Sequence, residues 1–133
     1  MVDGSALLMA APEVSPGPGA AVWRVRDRAS LAALRRTGAR ARRGPLAVSW
    51  IPAPADVPPR VAFAIPRRSG GAVVRNRIRR RLRAACAALR RDGRLAAGTY
   101  LLVGEGELAR LPWVELVELV ERTTRAAIAR GTP

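Results

Sequence analysis

The stretch at residues 72–91 constrains the fold most strongly. It lies between a Gly70-Gly71 pair and an Asp92-Gly93 pair, and these pairs predict where one long helix begins and ends. When successive residues are placed at about 100° per position, the apolar ones gather within about 40° of one direction. The helix therefore needs a core to cover this stripe, which consists of Val74, Ile78, Leu82, Ala85 and Leu89.

The remainder of this predicted helix is dominated by arginine. Six Arg lie between residues 75 and 83, and no carboxylate occurs between Asp56 and Asp92. Like charges at i,i+4, such as Arg75 with Arg79, destabilise an isolated helix by about 0.2–0.5 kcal/mol per pair. A run of charges is usually a solvated face, but such a run normally mixes both signs. A run of one sign favours a polyanionic partner, because phosphates would offset the repulsion.

The positive charge of the chain is concentrated around this helix. The net charge is +14, and all 24 basic residues are Arg. Residues 24–94 hold 20 of them against three Asp, whereas residues 1–23 and 95–133 are each slightly acidic. This concentration favours a binding face, with nucleic acid ahead of an anionic membrane as the partner. The absence of Lys and His excludes His triads, His zinc sites and Schiff-base lysines, and Cys86 has no partner for an internal disulfide.

Pro and Gly residues divide the chain into further segments. Residues 1–22 are rich in Ala, Gly, Pro and Ser, and we expect a disordered extension there, followed by a single domain over residues 23–133. No stretch approaches the roughly 20 apolar residues that span a bilayer. We therefore expect a cytoplasmic protein that does not bind membranes.

The segments predict the order α-β-β-α-β-α, with room for another strand within residues 40–52. Ser30 is expected to cap a first helix that ends at Gly38. Strands are expected at residues 46–51, 61–65 and 99–103. A final helix is expected from Pro112 to about residue 130, and helical spacing predicts a core-facing side formed by Trp113, Leu116, Val117, Val120, Thr124 and Ile128.

One continuous run resembles a known family. Residues 60–83 read R-V-A-F-A-I-P-R-R-S-G-G-A-V-V-R-N-R-I-R-R-R-L-R, which resembles the signature of the bacterial ribonuclease P protein component. In that family a strand leads to a basic pair, a Gly-x-Ala-Val turn and an R-N-R helix. Residues 24–46 also resemble its first helix and the entry to its first strand. The resemblance covers about residues 24–103 and implies RNA contacts from Arg67, Arg68, Arg75, Asn76, Arg77, Arg79, Arg80 and Arg83.

The resemblance also implies a fold and a function. The fold would be α+β, a small two-layer sandwich of the ribosomal protein S5 domain 2-like type. Its helices pack on one mostly antiparallel sheet that contains a left-handed βαβ crossover. The chain would bind ribonuclease P RNA and precursor tRNA to promote removal of the 5′ leader. The RNA subunit and its Mg²⁺ ions would cleave the phosphodiester bond, so we expect no catalytic residue and no metal site in the chain itself.

The resemblance further implies a cleft between the first helix and the sheet that holds the single-stranded leader. The family commonly places aromatic residues on this helix, and the equivalent positions here are Leu31 and Arg35. An Arg plane can partly replace an aromatic ring in stacking on a base. Trp50 and Phe63, on predicted strands, are further candidates for the cleft, although either could instead be a core residue.

Other functions fit the residues less well. The principal alternative is a non-catalytic basic RNA-binding protein associated with the ribosome, which would bind RNA without stimulating cleavage. A DNA-binding helix is disfavoured, because the arginine helix follows a strand and a Gly-Gly turn and not the first helix of a helix-turn-helix. No DNA partner is therefore expected.

Overall fold

The computed structural model describes residues 23–24 and 28–132. The predicted disorder of residues 1–22 concerns residues outside these ranges. Short 3-10 turns lie at Arg67–Ser69 and Gly106–Ala109. The described strands and helices, in chain order, are β1 (Trp23–Arg24), α1 (Arg28–Thr37), β2 (Ala39–Arg43), β3 (Leu46–Ile51), β4 (Arg60–Ala64), α2 (Ala72–Arg91), β5 (Thr99–Gly104) and α3 (Trp113–Gly131).

The described strands form one mixed sheet in the order β1-β4-β5-β3-β2. β3 pairs antiparallel with β2 and with β5, while β4 pairs parallel with β5 and with the short β1. Two of the three pairings among the four longer strands are thus antiparallel, and the predicted α+β class is confirmed. The chain crosses from β4 to the neighbouring parallel strand β5 through α2, which is the predicted crossover unit.

The main core lies between the sheet and the pair α2 and α3. The predicted stripe of α2 is confirmed, because Ile78, Leu82, Ala85 and Leu89 are fully buried and Val74 packs against the same core. The sheet contributes alternate residues from adjacent strands, since side chains on a strand alternate between faces. These residues are Leu46, Val48 and Trp50 of β3, Val61 of β4, and Tyr100 and Leu102 of β5.

α1 contacts β3 and β5 on the opposite face of the sheet. Leu34 of α1 is fully buried but does not belong to the core beneath α2 and α3. Arg60, which neighbours the core residue Val61 and so faces the other way, donates through Nη2 to the Ser30 hydroxyl of α1 at 3.4 Å. The sheet therefore separates α1 from α2 and α3.

The sequence predicted most element bounds to within one residue and allowed for one additional strand; the start of α1 and the short strand β1 are the exceptions. α1 begins at Arg28, so the predicted capping role of Ser30 is wrong, and its hydroxyl accepts a hydrogen bond from Arg60 instead. The additional strand is β2, paired with β3 from Ala39 to Arg43. The two-residue β1 was not predicted, because two residues show no alternation. No helix within the described residues is both long and apolar enough to cross a membrane.

Candidate RNA interface

The first turns of α2 present their polar side chains in two rows. One row, Asn76, Arg79 and Arg83, lies on the side of α2 near β4 and is called the β4 row. The other, Arg77 and Arg80, borders a groove that reaches the start of α3 and is called the α3 row. The division rests on contacts, because Arg83 lies over Phe63 of β4 and Arg79 bonds to Asn76, whereas Arg77 and Arg80 line the groove. An RNA that docks on α2 therefore meets two sets of hydrogen-bond donors, which differ in their contacts within the protein.

Internal contacts orient the β4 row. The Nη1 atom of Arg79 donates to the Oδ1 atom of Asn76 at 3.0 Å. The guanidinium carbon of Arg83 lies 5.6 Å from the ring centroid of Phe63, within range of a cation–π interaction. Asn76 thus uses the acceptor that an Arg would lack, and Arg79 and Arg83 are half-buried rather than fully extended into solvent.

The two Arg of the α3 row differ from their neighbour Arg81 in their contacts within the protein. Arg77 and Arg80 are exposed, and within the described part of the chain their guanidinium groups make no hydrogen bond or ion pair. Arg81 donates through Nη1 and Nη2 to the carbonyls of Leu108 and Leu111. These two bonds hold the Arg81 guanidinium group against the chain before α3, although Arg81 belongs to the same run of six Arg as Arg77 and Arg80. Arg81 fixes the chain that leads into α3, whereas Arg77 and Arg80 can bind another molecule.

One Arg of the basic pair before α2, Arg68, is held near the end of β5. The Nη2 atom of Arg68 lies 2.8 Å from Oε2 of Glu105, and Nη2 of Arg42 lies 3.4 Å from the same oxygen. Hydrogen bonding and charge from Arg68, with a further contribution from Arg42, lower the pKa of Glu105. Arg67 is exposed, and its guanidinium has no hydrogen-bond or ion-pair partner among the described residues.

Arg75 supports the turn at the start of α2. Its Nε atom donates to the carbonyl of Gly70 at 3.1 Å. Gly70 has a φ of 142°, and an added Cβ would lie 2.9 Å from Cβ of Val74, so the turn requires glycine. Arg75 is half-buried by this contact. Of the predicted RNA-binding residues, those whose side chains are exposed are Arg67, Arg68, Asn76, Arg77 and Arg80.

The four cleft candidates fall on two faces of the sheet. Leu31 and Arg35 lie on α1, where Leu31 is half-buried and Arg35 is exposed. Trp50 is 7% exposed and donates through Nε1 to the carbonyl of Ala97 at 3.2 Å. Phe63 packs against the core beneath α2 and α3. Trp50 and Phe63 therefore belong to the face opposite α1, and their assignment to a cleft between α1 and the sheet is corrected to a core role.

A sequence profile of the ribonuclease P family matches residues 20–127 of this 133-residue chain. The chain belongs to the ribonuclease P protein family. The ribonuclease P protein component of Thermobifida fusca is 37% identical over 111 residues, which are 77% of this chain and 74% of that protein. The homologue from Gluconacetobacter diazotrophicus is 38% identical over 74 residues, which are 56% of this chain but only 64% of that protein's length.

Solved structures of the family share the fold. The ribonuclease P protein of Staphylococcus aureus superposes with a TM-score of 0.67 at 15% sequence identity, covering 81% of this chain and 97% of the other. At this identity the likeness bears on the fold alone. Family membership implies association with ribonuclease P RNA as a component of a ribonucleoprotein endoribonuclease.

The sequence did not reveal three features of the ribonuclease P protein surface. Arg81 looks like its neighbours in the sequence, and its carbonyl partners lie at residues 108 and 111. Glu105 directly follows β5, and no sequence pattern predicted its ion pairs with Arg42 and Arg68. Trp113 was predicted to face the core, yet it is 44% exposed. Its position in the first turn of α3 could have indicated this exposure. Residues at the end of a helix often extend beyond the core against which the middle of the helix packs.

Proposed function

We propose that this chain is the protein subunit of ribonuclease P, and that it docks on ribonuclease P RNA through α2 and the turn before it. The observation that carries the proposal is the set of exposed guanidinium groups at Arg67, Arg77 and Arg80. Within the described residues these groups have no hydrogen-bond or ion-pair partner. They lie in the segment that matches the family signature, and phosphates are their natural partners.

The charge of the interface supports an RNA partner over an uncharged one. The helix keeps six Arg between residues 75 and 83 without a nearby acidic residue in sequence. Each phosphate neutralised by such a group adds about 0.7–0.9 to the slope of log K against log salt. Binding to RNA therefore relieves repulsion within α2 and releases counterions from the RNA at the same time.

The second part of the proposal concerns precursor tRNA. We assign its single-stranded 5′ leader to the face of the sheet that carries α1, near Leu31 and Arg35. Basic groups border this face: Arg40 donates to the carbonyl of Arg35, and Arg60 reaches Ser30. The leader and the RNA subunit would thus contact opposite sides of one sheet, in the cytoplasm where precursor tRNA is made.

The chemical step is assigned to the RNA partner. Among the described residues no three His, Cys, Asp or Glu side chains gather as a group that could hold a metal ion. We propose that the magnesium ions of the reaction are held by RNA phosphates, where they would supply charge stabilisation during hydrolysis. The part of this chain is to bind and orient the RNA molecules by its arginines.

The proposal is tested by reconstituted cleavage. Bacterial ribonuclease P RNA and precursor tRNA are incubated at low magnesium with and without the purified chain, and the cleavage rate is measured. The wild type should accelerate cleavage, the double variant R77A/R80A should require higher protein concentration, and the matched control R122A, an exposed Arg on α3, should resemble the wild type. A wild type that binds RNA without accelerating cleavage would favour the ribosome-associated alternative.

A separate experiment tests the leader assignment. Precursor tRNAs with progressively shorter leaders are titrated against the reconstituted complex, and the dissociation constant is measured for each. Affinity should fall as the leader shortens. Equal affinity for all leader lengths would refute the leader role of the α1 face while leaving the RNA-docking role of α2 intact.

A further inference from the structure

Trp113 is exposed beside the arginine helix. It is one of three large apolar side chains that are exposed among the described residues, with Val73 and Val114. It lines a shallow groove of about 330 Å³ together with Arg77, Arg80, Arg81 and Ala84. This volume is near the lower end of the range for small-ligand sites, about 300–1,000 Å³. The groove lies outside the residues that the family signature implied for RNA contact, except for the two Arg on its rim.

The groove is built by contacts that hold α2 next to the start of α3. Arg81 donates to the carbonyls of Leu108 and Leu111, directly before Pro112. Trp113 then begins α3, so its indole is held near the side of α2 that carries Arg77 and Arg80. Ala84 lies one turn after Arg80 and Arg81, and its methyl group leaves the groove open between the two helices.

The groove offers two kinds of contact at once. The indole provides a large aromatic surface, and base–aromatic stacking does not depend on base identity. Arg77 and Arg80 provide guanidinium groups without hydrogen-bond or ion-pair partners within the described ranges. An apolar peptide segment would leave these charges desolvated and unpaired, and a free phosphate would not use the indole. A nucleotide whose base is unpaired satisfies both contacts.

We propose that this groove binds one unpaired nucleotide of ribonuclease P RNA, with its base stacked on Trp113 and its flanking phosphates on Arg77 and Arg80. The inference rests on the proposed function and adds a specific subsite to it. The RNA subunit is preferred to the tRNA leader because the groove continues the exposed face of α2. The leader is assigned to the α1 face, on the other side of the sheet.

The test measures the affinity of the chain for ribonuclease P RNA as a function of salt. Trp113→Ala should weaken binding about tenfold, within the range that one base–aromatic stack contributes, and should leave the salt slope unchanged because no charge is lost. Trp113→Phe should restore most of the affinity, and Val114→Ala, an exposed apolar neighbour on α3, should bind like the wild type. Ala84→Leu, which fills the groove at an exposed helical position, tests the subsite without removing Trp113 and should also weaken binding.

The outcomes separate the subsite from the proposed function. If Trp113→Ala and Ala84→Leu bind within twofold of the wild type while R77A/R80A is weakened, the subsite is refuted and the docking role of α2 stands. If the wild type itself does not bind ribonuclease P RNA, both are refuted. Photocrosslinking with 4-thiouridine placed in either RNA identifies the source of the nucleotide: a Trp113 crosslink to the RNA subunit supports the assignment, and one to the tRNA leader alone contradicts it.

Discussion

Replacing either of two adjacent arginines of α2 by Ala should impair a different property of the protein, RNA binding in one case and folding stability in the other. Arg80 is exposed and its guanidinium has no hydrogen-bond or ion-pair partner among the described residues, whereas Arg81 is bound to the carbonyls of Leu108 and Leu111. We therefore predict that Arg80→Ala impairs RNA binding without loss of stability. Arg81→Ala should lower stability with little effect on the salt dependence of binding.

The magnitudes follow from these contacts. A hydrogen bond to a charged group contributes about 1.5–3 kcal/mol, and water replaces part of it at a half-exposed site, so Arg81→Ala should lower the free energy of unfolding by about 2 kcal/mol. Arg80→Ala should change the free energy of unfolding by less than about 0.5 kcal/mol. It should reduce the salt slope of RNA binding by about 0.7–0.9, the contribution of one phosphate.

Urea denaturation gives the free energy of unfolding of each variant, and filter binding to ribonuclease P RNA between low and moderate salt gives the slope. The comparison is internally matched, because both substitutions remove one Arg from the same turn. The reasoning would be refuted if Arg81→Ala were as stable as the wild type and lowered the salt slope. It would also be refuted if Arg80→Ala unfolded at a lower urea concentration than the wild type.

Three further predictions concern the folded domain. Gly98 has a φ of 141°, and an added Cβ would lie 2.0 Å from Nε1 of Trp50. Gly98→Ala should therefore lower the free energy of unfolding by about 3 kcal/mol. An unchanged urea midpoint would contradict this prediction. A hydrogen bond from Arg94 and the charges of Arg125 and Arg94 lower the pKa of Glu121. The stability that Glu121 contributes is therefore complete above its unfolded-state pKa and is lost as the pH falls through the folded-state pKa. The stability difference between wild type and Glu121→Gln should accordingly disappear in acid, and a difference that persists at low pH would contradict the ion pair. Burial raises the pKa of Cys86 to about 12, so iodoacetamide at mildly alkaline pH should label it only in urea; rapid labelling of the native protein would show that the thiol is accessible.

The long elements were predictable from the sequence because local patterns specify them. The apolar stripe of α2 repeats at the helical period, and the Gly-Gly and Asp-Gly pairs predicted its ends at residues 72 and 91. The strand at residues 46–51 was likewise predicted with its observed bounds. In these segments the period of the side chains and the turn residues agree on one structure.

The details of the interface depend on contacts between distant residues. The sequence shows that Trp50 and Phe63 lie on strands, but only the order of strands and helices decides which face α1 covers. Similarly, six Arg between residues 75 and 83 look equivalent in the sequence. Arg81 is distinguished by carbonyls 27 and 30 residues later in the chain, and no local pattern reports such a contact.

The salt dependence of binding to ribonuclease P RNA tests the central claim most directly. The claim is that Arg67, Arg77 and Arg80 bind RNA phosphates, so the triple alanine variant should lower the salt slope by about 2.1–2.7 relative to the wild type. The control variant R122A should keep the wild-type slope. A triple variant with the wild-type slope and affinity would contradict the claim and show that this face of α2 and the turn before it are only solvated.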